Sequence, residues 1–337
     1  MDVQTLTDHE ALSTLAVEWR ALWERDPTAS IFHTDEYAST AWETELGADR
    51  ALAVVTMREA GLLVGLGAVT IDPDGGLRFL GNAEITDYLG PISAEADRGR
   101  FADAFIGAIA GLPGWSFAEL LGLAADSGWP DALARAAKDA GFDVEHGRHD
   151  VCPRIALSGS FDDYLAGLPS KLRHEIRRKA RRLEREIGGY AIRLSDDAGL
   201  DVDLETFYQM HRASQGPKGK FLHDDMVPVF SRLAHTFAAR GWLRLAWLEA
   251  EGAPLAATLS FSERGVWSVY NSAYDHTKRD LGPGMVLMGD TIRLATEEGC
   301  SVVDLLRGDE PYKYRFGAED VPLIKLNLAR SARTSMT

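Results

Sequence analysis

A pair of apolar strands, a glycine turn and a later glycine-proline corner occur twice in this chain, roughly 190 residues apart. Residues 53–71 are similar to residues 243–261, and Gly61 matches Gly252 in the turn between the strands. Two further matches follow in the same order, Leu89-Gly90-Pro91 with Leu281-Gly282-Pro283 and Leu120-Leu121-Gly122 with Leu305-Leu306-Arg307-Gly308. Ordered matches predict two copies of one fold, with chance similarity of short apolar segments as the alternative. The 337 residues provide enough chain for two domains, which we place at 1–150 and 151–337.

The glycine loop R-D-L-G-P-G, from Arg279 to Gly284, lies between a predicted strand at 266–273 and a predicted helix at 285–298. Glycines let main-chain N–H groups approach a phosphate, and a helix N-terminus adds partial positive charge. Arg279 can add a charge-assisted contact. The loop therefore predicts a site for a pyrophosphate-bearing ligand. A glycine turn that only caps the helix is the alternative.

The order of these elements resembles that of the GNAT acyltransferases: a hairpin at 243–261, a strand, an R-x-x-G-x-G loop, a helix and a strand at 301–306. The later sequence Y-K-Y-R-F-G, from Tyr312 to Gly317, resembles the F-K-x-x-F-G element of Fem-type aminoacyl transferases and their CelD-like relatives. The resemblance is good over about 151–329 and holds only in outline before that. It implies an α+β (mixed α/β) protein with two tandem GNAT-like domains, each a central, mostly antiparallel, splayed sheet flanked by helices.

The resemblance also implies the acyl donor. In GNAT proteins the loop holds the pyrophosphate of acyl-coenzyme A, and we expect acetyl-coenzyme A as the simplest case. In the first copy Asp87 replaces Arg279 and Ile92 replaces Gly284, so only the second copy is expected to bind the donor. The predicted donor-binding residues are Arg279, Leu281, Gly282, Pro283, Gly284, Met285 and Asn271.

A cationic helix is predicted at 170–187 in a chain whose net charge is −15. Pro169 and Ser170 form a helix start, and apolar residues at spacings of three and four give the helix one apolar face. Eight Lys or Arg stand against two Glu between Lys171 and Arg185, which predicts a phosphate or polyanion site. A solvated face is the alternative. In Fem-type proteins a comparable segment lies near the acceptor's phosphates or the transfer RNA.

Candidate acceptor contacts come from this helix and from the first copy. The segment I-T-D-Y-L-G-P resembles the D-Y element that lines the acceptor cleft of Fem-type proteins, and a turn capped by Asp87 is the alternative. The first domain would then shape the acceptor cleft. The candidate acceptor contacts are Asp87, Tyr88, Lys171, Arg173, Arg177, Arg178 and Tyr312.

Transfer of an acyl group from a thioester to an amine requires a base, a stabilised oxyanion and a proton for the departing thiolate. Asp304, at the end of the last apolar strand, is a candidate base, with a water as the alternative. Tyr270, Tyr274 and Tyr312 are candidate proton donors, or else packing residues. Lys313 matches the lysine of the Fem-type element, which implies a position at the reaction centre where it stabilises developing charge. An ion pair with Asp309 or Glu310 is the alternative.

Other classes of function lack sequence support. The nine histidines form no metal-ligand spacing, so no metal is predicted. No G-x-S-x-G or G-x-x-x-x-G-K-[ST] motif occurs. The N-terminal sequence has no basic and apolar leader, and no apolar run approaches about 20 residues, which favours a cytoplasmic protein without a membrane span. We expect a monomer or a weak dimer.

These observations together favour a GNAT-type N-acyltransferase that uses acyl-coenzyme A and acylates an amine on a small, anionic or sugar-containing acceptor. A Fem-type transferase with charged tRNA as the donor is the first alternative. A degenerate GNAT module that binds a ligand without catalysis is the second. The intact R-x-x-G-x-G loop and Lys313 argue against the degenerate module.

Overall fold

The computed structural model of the protein describes residues 1–45, 49–81, 85–214 and 226–330. Two compact units divide the chain: unit 1 comprises Met1–Val151 and Val321–Thr337, and unit 2 comprises Cys152–Asp320. The structure differs from the division proposed above at the end of the chain, because the residues after Asp320 return to unit 1. The structural reason is a strand pairing described below.

Thirteen strands and nine helices are found in the described residues. The strands are β1 Asp2–Leu6, β2 Ala51–Glu59, β3 Leu62–Ile71, β4 Gly76–Phe79, β5 Ile92–Ser93, β6 Phe117–Ala124, β7 Phe142–Ala156, β8 Ala191–Leu194, β9 Leu243–Ala250, β10 Ala253–Glu263, β11 Val266–Tyr274, β12 Val302–Asp304 and β13 Glu319–Arg330. The helices are α1 Glu10–Arg25, α2 Asp35–Glu45, α3 Arg98–Ala110, α4 Trp129–Asp139, α5 Phe161–Gly167, α6 Ser170–Ile187, α7 Leu200–Arg212, α8 Met226–Ala238 and α9 Pro283–Glu297.

Unit 1 has a mainly antiparallel sheet in the order β1-β2-β3-β4-β6-β13, with β5 beside β3. Helix α3 approaches β3 closely because glycines face it: a Cβ atom on Gly65 would lie 2.3 Å from Phe101, and one on Gly67 would lie 2.5 Å from Phe105. Strand β13 pairs with β6, and its Leu326 side chain is fully buried in the core of this unit. This pairing explains why the end of the chain belongs to unit 1.

Unit 2 has a sheet in the order β7-β12-β11-β10-β9-β8, in which only β11 and β12 are parallel. Helix α9 packs on one side of this sheet, where Met288 and Ile292 lie in a core with Trp267. Helix α6 begins and ends where the sequence predicts, and Leu183 on its apolar face is fully buried. The fold class predicted from the sequence, a mainly antiparallel sheet flanked by helices in each half, is confirmed.

The two hairpins predicted to be equivalent have the same turn. Ala60 and Gly61 join β2 to β3 with φ of 49° and 84°, and Glu251 and Gly252 join β9 to β10 with φ of 52° and 77°. Positive φ at both central residues is typical of the tight type I′ hairpin turn. The repeated turn supports the inference of two copies of one fold.

The second matched corner differs between the copies. Gly282 has a φ of 67° and is followed directly by α9, whereas Gly90 has a φ of 149° and is followed by the short strand β5. Only the second corner therefore opens a helix. This agrees with the expectation that the second copy alone has a phosphate loop.

Candidate functional site

The glycine loop forms the start of α9. A short 3-10 segment, His276–Leu281, leads into Gly282, and Pro283 is the first residue of the helix. The N–H groups of Met285 and Val286 both donate to the carbonyl of Gly282, at 3.1 and 3.2 Å. Among the described residues, the helix start has no side-chain cap and the N–H of Gly284 has no acceptor. Such orphan donors, together with the helix dipole, favour an anion.

A cavity of about 310 Å³ lies in front of this helix start. It is bounded by α6, β10, β11, the glycine loop and the residue before Lys313. Its volume is at the lower end of the range for small-molecule sites. The lining residues are Lys179, Thr258, Ser272, Ala273, Tyr274, Arg279, Gly282, Pro283, Gly284, Met285, Met288 and Tyr312.

Two cations of this lining, Lys179 and Arg279, have no carboxylate partner within the described parts of the chain. The ammonium of Lys179 approaches the glycine loop, since a Cβ atom on Gly282 would lie 3.3 Å from Lys179 Nζ. Uncompensated cations beside a helix N-terminus raise the local concentration of anions. The arrangement is therefore suited to a phosphate or diphosphate group.

Lys179 is absent from the contacts predicted above, although it belongs to the predicted helix. Its neighbours Arg177 and Arg178 are exposed, whereas Lys179 is half-buried. It lies three residues after Ile176 and four before Leu183, so it shares their face of the helix. The helical spacing in the sequence was therefore sufficient to distinguish Lys179 from the outward-facing cations of α6.

A β-bulge in β11 determines which of its side chains reach the cavity. Val269 pairs with Ser260 and Asn271 with Leu259, so Tyr270 is an extra residue between them. An extra residue reverses the alternation of side chains along a strand. After the bulge, side chains two residues apart face the cavity.

After the bulge in β11, the side chains of Ser272 and Tyr274 line the cavity. They lie on the side of the sheet where Met288 of α9 packs. Tyr270 lies elsewhere. Its ring stacks on Phe230 of α8 with centroids 5.3 Å apart and lies 5.3 Å from the ring of Phe261. Of these two tyrosines, the structure therefore places Tyr274 at the cavity and Tyr270 in an aromatic cluster.

Strand β12 is paired with β11 along its whole length, but β11 is the longer strand. The parallel register covers three residues of each strand and ends where Ser268 pairs with Asp304, while β11 continues to Tyr274. Strand β12 ends at this point, so β11 continues for six residues, Val269 to Tyr274, without β12 beside it. The cavity-lining residues of β11 belong to this part of the strand.

Asp304 and Lys313 both contact the chain that leaves β12. Asp304 accepts a hydrogen bond from Arg154 Nε and another from the N–H of Leu306, both at 2.8 Å. Lys313 is 2% exposed and donates to the carbonyls of Leu306, Arg307 and Gly308 at 2.9, 2.8 and 3.0 Å. Its ammonium also lies 3.0 Å from Glu310 Oε2. The lysine is thus a buried ion-pair partner of Glu310, and its predicted position at the reaction centre stays a prediction.

The remaining predicted residues of unit 2 lie in different surroundings. Tyr312 lines the cavity, and burial, followed by the charge of Glu310, raises its pKa. Asn271 Oδ1 accepts the N–H of Ser272 at 2.8 Å and lies 3.1 Å from His211 Nε2. Leu281 packs in the core beside α6. Of the predicted helix contacts, Lys171 and Arg178 are exposed, Arg173 donates to Ala166 and Arg177 pairs with Asp162.

The two acceptor residues predicted in the first copy belong to unit 1. Asp87 and Tyr88 are 8% and 3% exposed. The ring of Tyr88 lies 6.3 Å from that of Phe32, and Leu89, the next residue, donates its N–H to Gly122. The role of both residues in acceptor binding stays a prediction from the resemblance.

In the part of the chain that the structure describes, no group of His, Cys, Asp and Glu could hold a metal ion. None of the described helices has both the length and the apolar character that a bilayer span requires.

Comparison with known proteins identifies the fold. Residues 170–314 match the family model of the acetyltransferase (GNAT) domain. The crystal structure of FemX is similar with a TM-score of 0.66 and 12% identity, covering 96% of this chain and 97% of that one. L-PGS from Bacillus licheniformis has a TM-score of 0.58 at 12% identity, covering 94% and 92%. A tandem GNAT protein from the clavulanic acid biosynthesis pathway has a TM-score of 0.50 at 12% identity, covering 99% and 100%. No protein of curated function matches the sequence.

The chain therefore has a GNAT fold. More narrowly, its fold is similar to those of FemX and of the tandem GNAT protein, which confirms the resemblance inferred from the glycine loop and from Tyr312 to Gly317.

Proposed function

We propose that the protein is an N-acyltransferase that transfers an acyl group, most simply acetyl, from acyl-coenzyme A to an amine of a small acceptor. The observation that carries this proposal is the cavity at the start of α9, where Lys179 and Arg279 have no carboxylate partner in the described chain. A diphosphate would neutralise both cations and accept the orphan N–H of Gly284. The match of residues 170–314 to the GNAT domain supports the same donor.

The chemistry assigned to the site follows from its residues. The amine nitrogen forms a bond to the thioester carbonyl carbon, the carbon–sulfur bond breaks, and the thiolate takes a proton. Tyr312 and Tyr274 line the cavity and carry the hydroxyl groups that could supply that proton. The phenol of Tyr312 is protonated at neutral pH, and burial, followed by the charge of Glu310, raises its pKa further. The amine proton leaves to a side chain or to water.

The acceptor proposed here is anionic or sugar-containing. The exposed side of α6 supports it, because Lys171, Arg178 and Arg182 are solvent-facing and have no carboxylate partner in the described residues. They are seven and four residues apart and therefore share one face of the helix.

The same face supports a second candidate, a Fem-type transfer from charged tRNA. A row of unpaired cations can contact a phosphate backbone without any sequence preference. In this case α6 would bind the donor, and the cavity would hold only its terminal part.

Calorimetric titration with coenzyme A, acetyl-coenzyme A and charged tRNA tests both candidates. Acetyl-coenzyme A should bind and raise the melting temperature by mass action. Tight binding of charged tRNA, with no heat from either coenzyme A form, would replace the first candidate by the second. Binding of none of the three would leave the protein without a transferase donor and would contradict both.

A further inference from the structure

The chain leaves β12 through a turn in an unfavourable backbone conformation. Leu306, two residues after the end of β12, has a φ of 54°, in the left-handed region that branched and bulky residues avoid. Its side chain is 2% exposed and so is fixed in the core. Such a conformation persists only where the surroundings hold it.

Two charged side chains hold this residue from opposite ends. The carboxylate of Asp304 accepts the N–H of Leu306 at 2.8 Å, and the ammonium of Lys313 donates to its carbonyl at 2.9 Å. Arg154 orients the carboxylate, and Glu310 lies 3.0 Å from the ammonium. Both ends of Leu306 are thus held by charge-assisted hydrogen bonds.

The donors of Lys313 are fully used by these contacts. An ammonium has three N–H donors, and the carbonyls of residues 306–308 lie within 3.0 Å of Nζ, with the Glu310 carboxylate at the same distance. A thioester oxygen would have to displace one of these acceptors before it could contact the ammonium. This geometry is typical of an ammonium that holds the backbone in a fixed conformation.

We infer that Asp304 and Lys313 are positioning residues, which fix the left-handed turn at Leu306 and through it place Tyr312 at the donor cavity. Strand β12 and its pairing with β11 both end at Asp304, so the turn begins where β11 continues without β12. The N–H of Lys313 donates to the carbonyl of Glu310 at 2.9 Å, which closes the loop just before the side chain of Lys313 returns to Leu306. The effect on transfer rests on the proposed function, but the fixing of the turn does not.

The first test compares Lys313→Met with Arg315→Met, which removes a cation from the same 3-10 segment without touching Leu306. Amide hydrogen exchange needs no substrate and is followed in peptides that cover residues 305–312. Because hydrogen bonds to the turn are lost, we expect exchange to become about tenfold faster in Lys313→Met only. Coenzyme A should bind about tenfold more weakly, since Tyr312 moves.

Two results would overturn the inference. Unchanged exchange and unchanged coenzyme A affinity, with turnover reduced about 10²- to 10³-fold, would make Lys313 a direct oxyanion contact. Unchanged exchange, affinity and turnover would remove it from any role in the site. If wild-type protein binds no coenzyme A, the proposed function fails, while the exchange experiment still decides whether Lys313 fixes the turn.

The second test uses Asp304 and remains available if Lys313→Met does not fold. Asp304→Asn keeps an oxygen for the N–H of Leu306, whereas Asp304→Ala does not. For a positioning residue, turnover should fall about threefold in the Asn variant and about thirtyfold or more in the Ala variant, with faster exchange in the Ala variant alone. A general base would lose activity equally in both variants, and that outcome would contradict the inference.

Discussion

Asp304 and Lys313 bind the two ends of a single residue: the carboxylate accepts the N–H of Leu306 at 2.8 Å and the ammonium donates to its carbonyl at 2.9 Å. Both side chains are almost completely buried, at 3% and 2% exposure. A buried charge is stable only when hydrogen bonds and an opposite charge compensate it, and here Arg154 and Glu310 supply the opposite charges. Two of the residues that the sequence suggested for catalysis are thereby linked through the backbone between them.

Removal of the inward-facing lysine of α6 should weaken donor binding. Lys179→Ala deletes an unpaired cation next to Gly282, and a lost charge-assisted hydrogen bond corresponds to about 1.5–3 kcal/mol, or roughly 10- to 100-fold in affinity. Arg178→Ala is the matched control, because it removes a neighbouring exposed cation from the same helix. Coenzyme A dissociation constants from calorimetry measure both. If coenzyme A binds equally more weakly to both variants, the total positive charge of α6 matters and the position of Lys179 does not.

A methyl group at the second residue of α9 should block the donor without harming the fold. A Cβ atom on Gly284 would lie 3.6 Å from the ring of Tyr274, an ordinary contact, and would occupy the cavity. Gly289→Ala, in the same helix as Gly284, is the control, since its Cβ would lie 3.5 Å from Ile176 of α6 and Gly289 does not line the cavity. Both variants should melt at or slightly above the wild-type temperature, because alanine stabilises a helix relative to glycine by about 0.5–1 kcal/mol.

Only Gly284→Ala is expected to weaken coenzyme A binding, by about 1 kcal/mol or more, as the approach of a phosphate to the main-chain N–H is obstructed. Equal affinities for the two alanine variants would place the diphosphate elsewhere.

Charge reversal on the exposed side of α6 should affect the acceptor and spare the donor. In Arg178→Glu we expect the KM for an anionic acceptor to rise several-fold and coenzyme A affinity to stay constant. Lys138→Glu on α4 is the charge-matched control. Because exposed charges are screened within about 10 Å at 0.1 M salt, added salt should reproduce the effect in the wild type. If neither the substitution nor added salt changes the KM, this surface is only solvated and does not bind the acceptor.

Tyr312 should make the protein more sensitive to alkaline pH. Burial and the charge of Glu310 raise its pKa, so the folded state keeps a proton that the unfolded chain releases near pH 10. The contribution of the Tyr312 phenol to the free energy of unfolding is fully present below about pH 10, and it is lost as the pH rises toward the pKa of the folded state. Denaturant unfolding should therefore show a steeper loss of stability above about pH 10 in the wild type than in Tyr312→Phe. Parallel curves would mean that the phenol is not held in its neutral form.

Local signals in the sequence were sufficient for the elements that position the cavity. The turn at Glu251 and Gly252 requires positive φ at both residues, and the Pro169-Ser170 pair begins α6, so both features could be located without tertiary information. The glycine loop was recognisable for the same reason, since Gly282 in the left-handed region and Pro283 at the first helical position are local preferences.

Contacts that depend on the path of an irregular loop could not be predicted in this way. The carbonyls that surround Lys313 converge only because Leu306 and Gly308 both adopt positive φ, and nothing in the residue type of Leu306 announces that conformation. Tyr270 is a similar case. A spacing of four residues keeps Tyr270 and Tyr274 on one side of a regular strand, but the bulge at Tyr270 places them on different sides. A one-residue irregularity in strand register has no signature in a short apolar segment.

The return of β13 to the first unit determines the order in which the protein can be completed on the ribosome. All of unit 2, Cys152–Asp320, is synthesised before the strand that pairs with β6. Unit 1 therefore acquires its full core only after unit 2 has been synthesised, because Leu326 and Leu328 follow unit 2 in the chain. Until then the edge of β6 is an unpaired strand, exposed to association with other chains during synthesis.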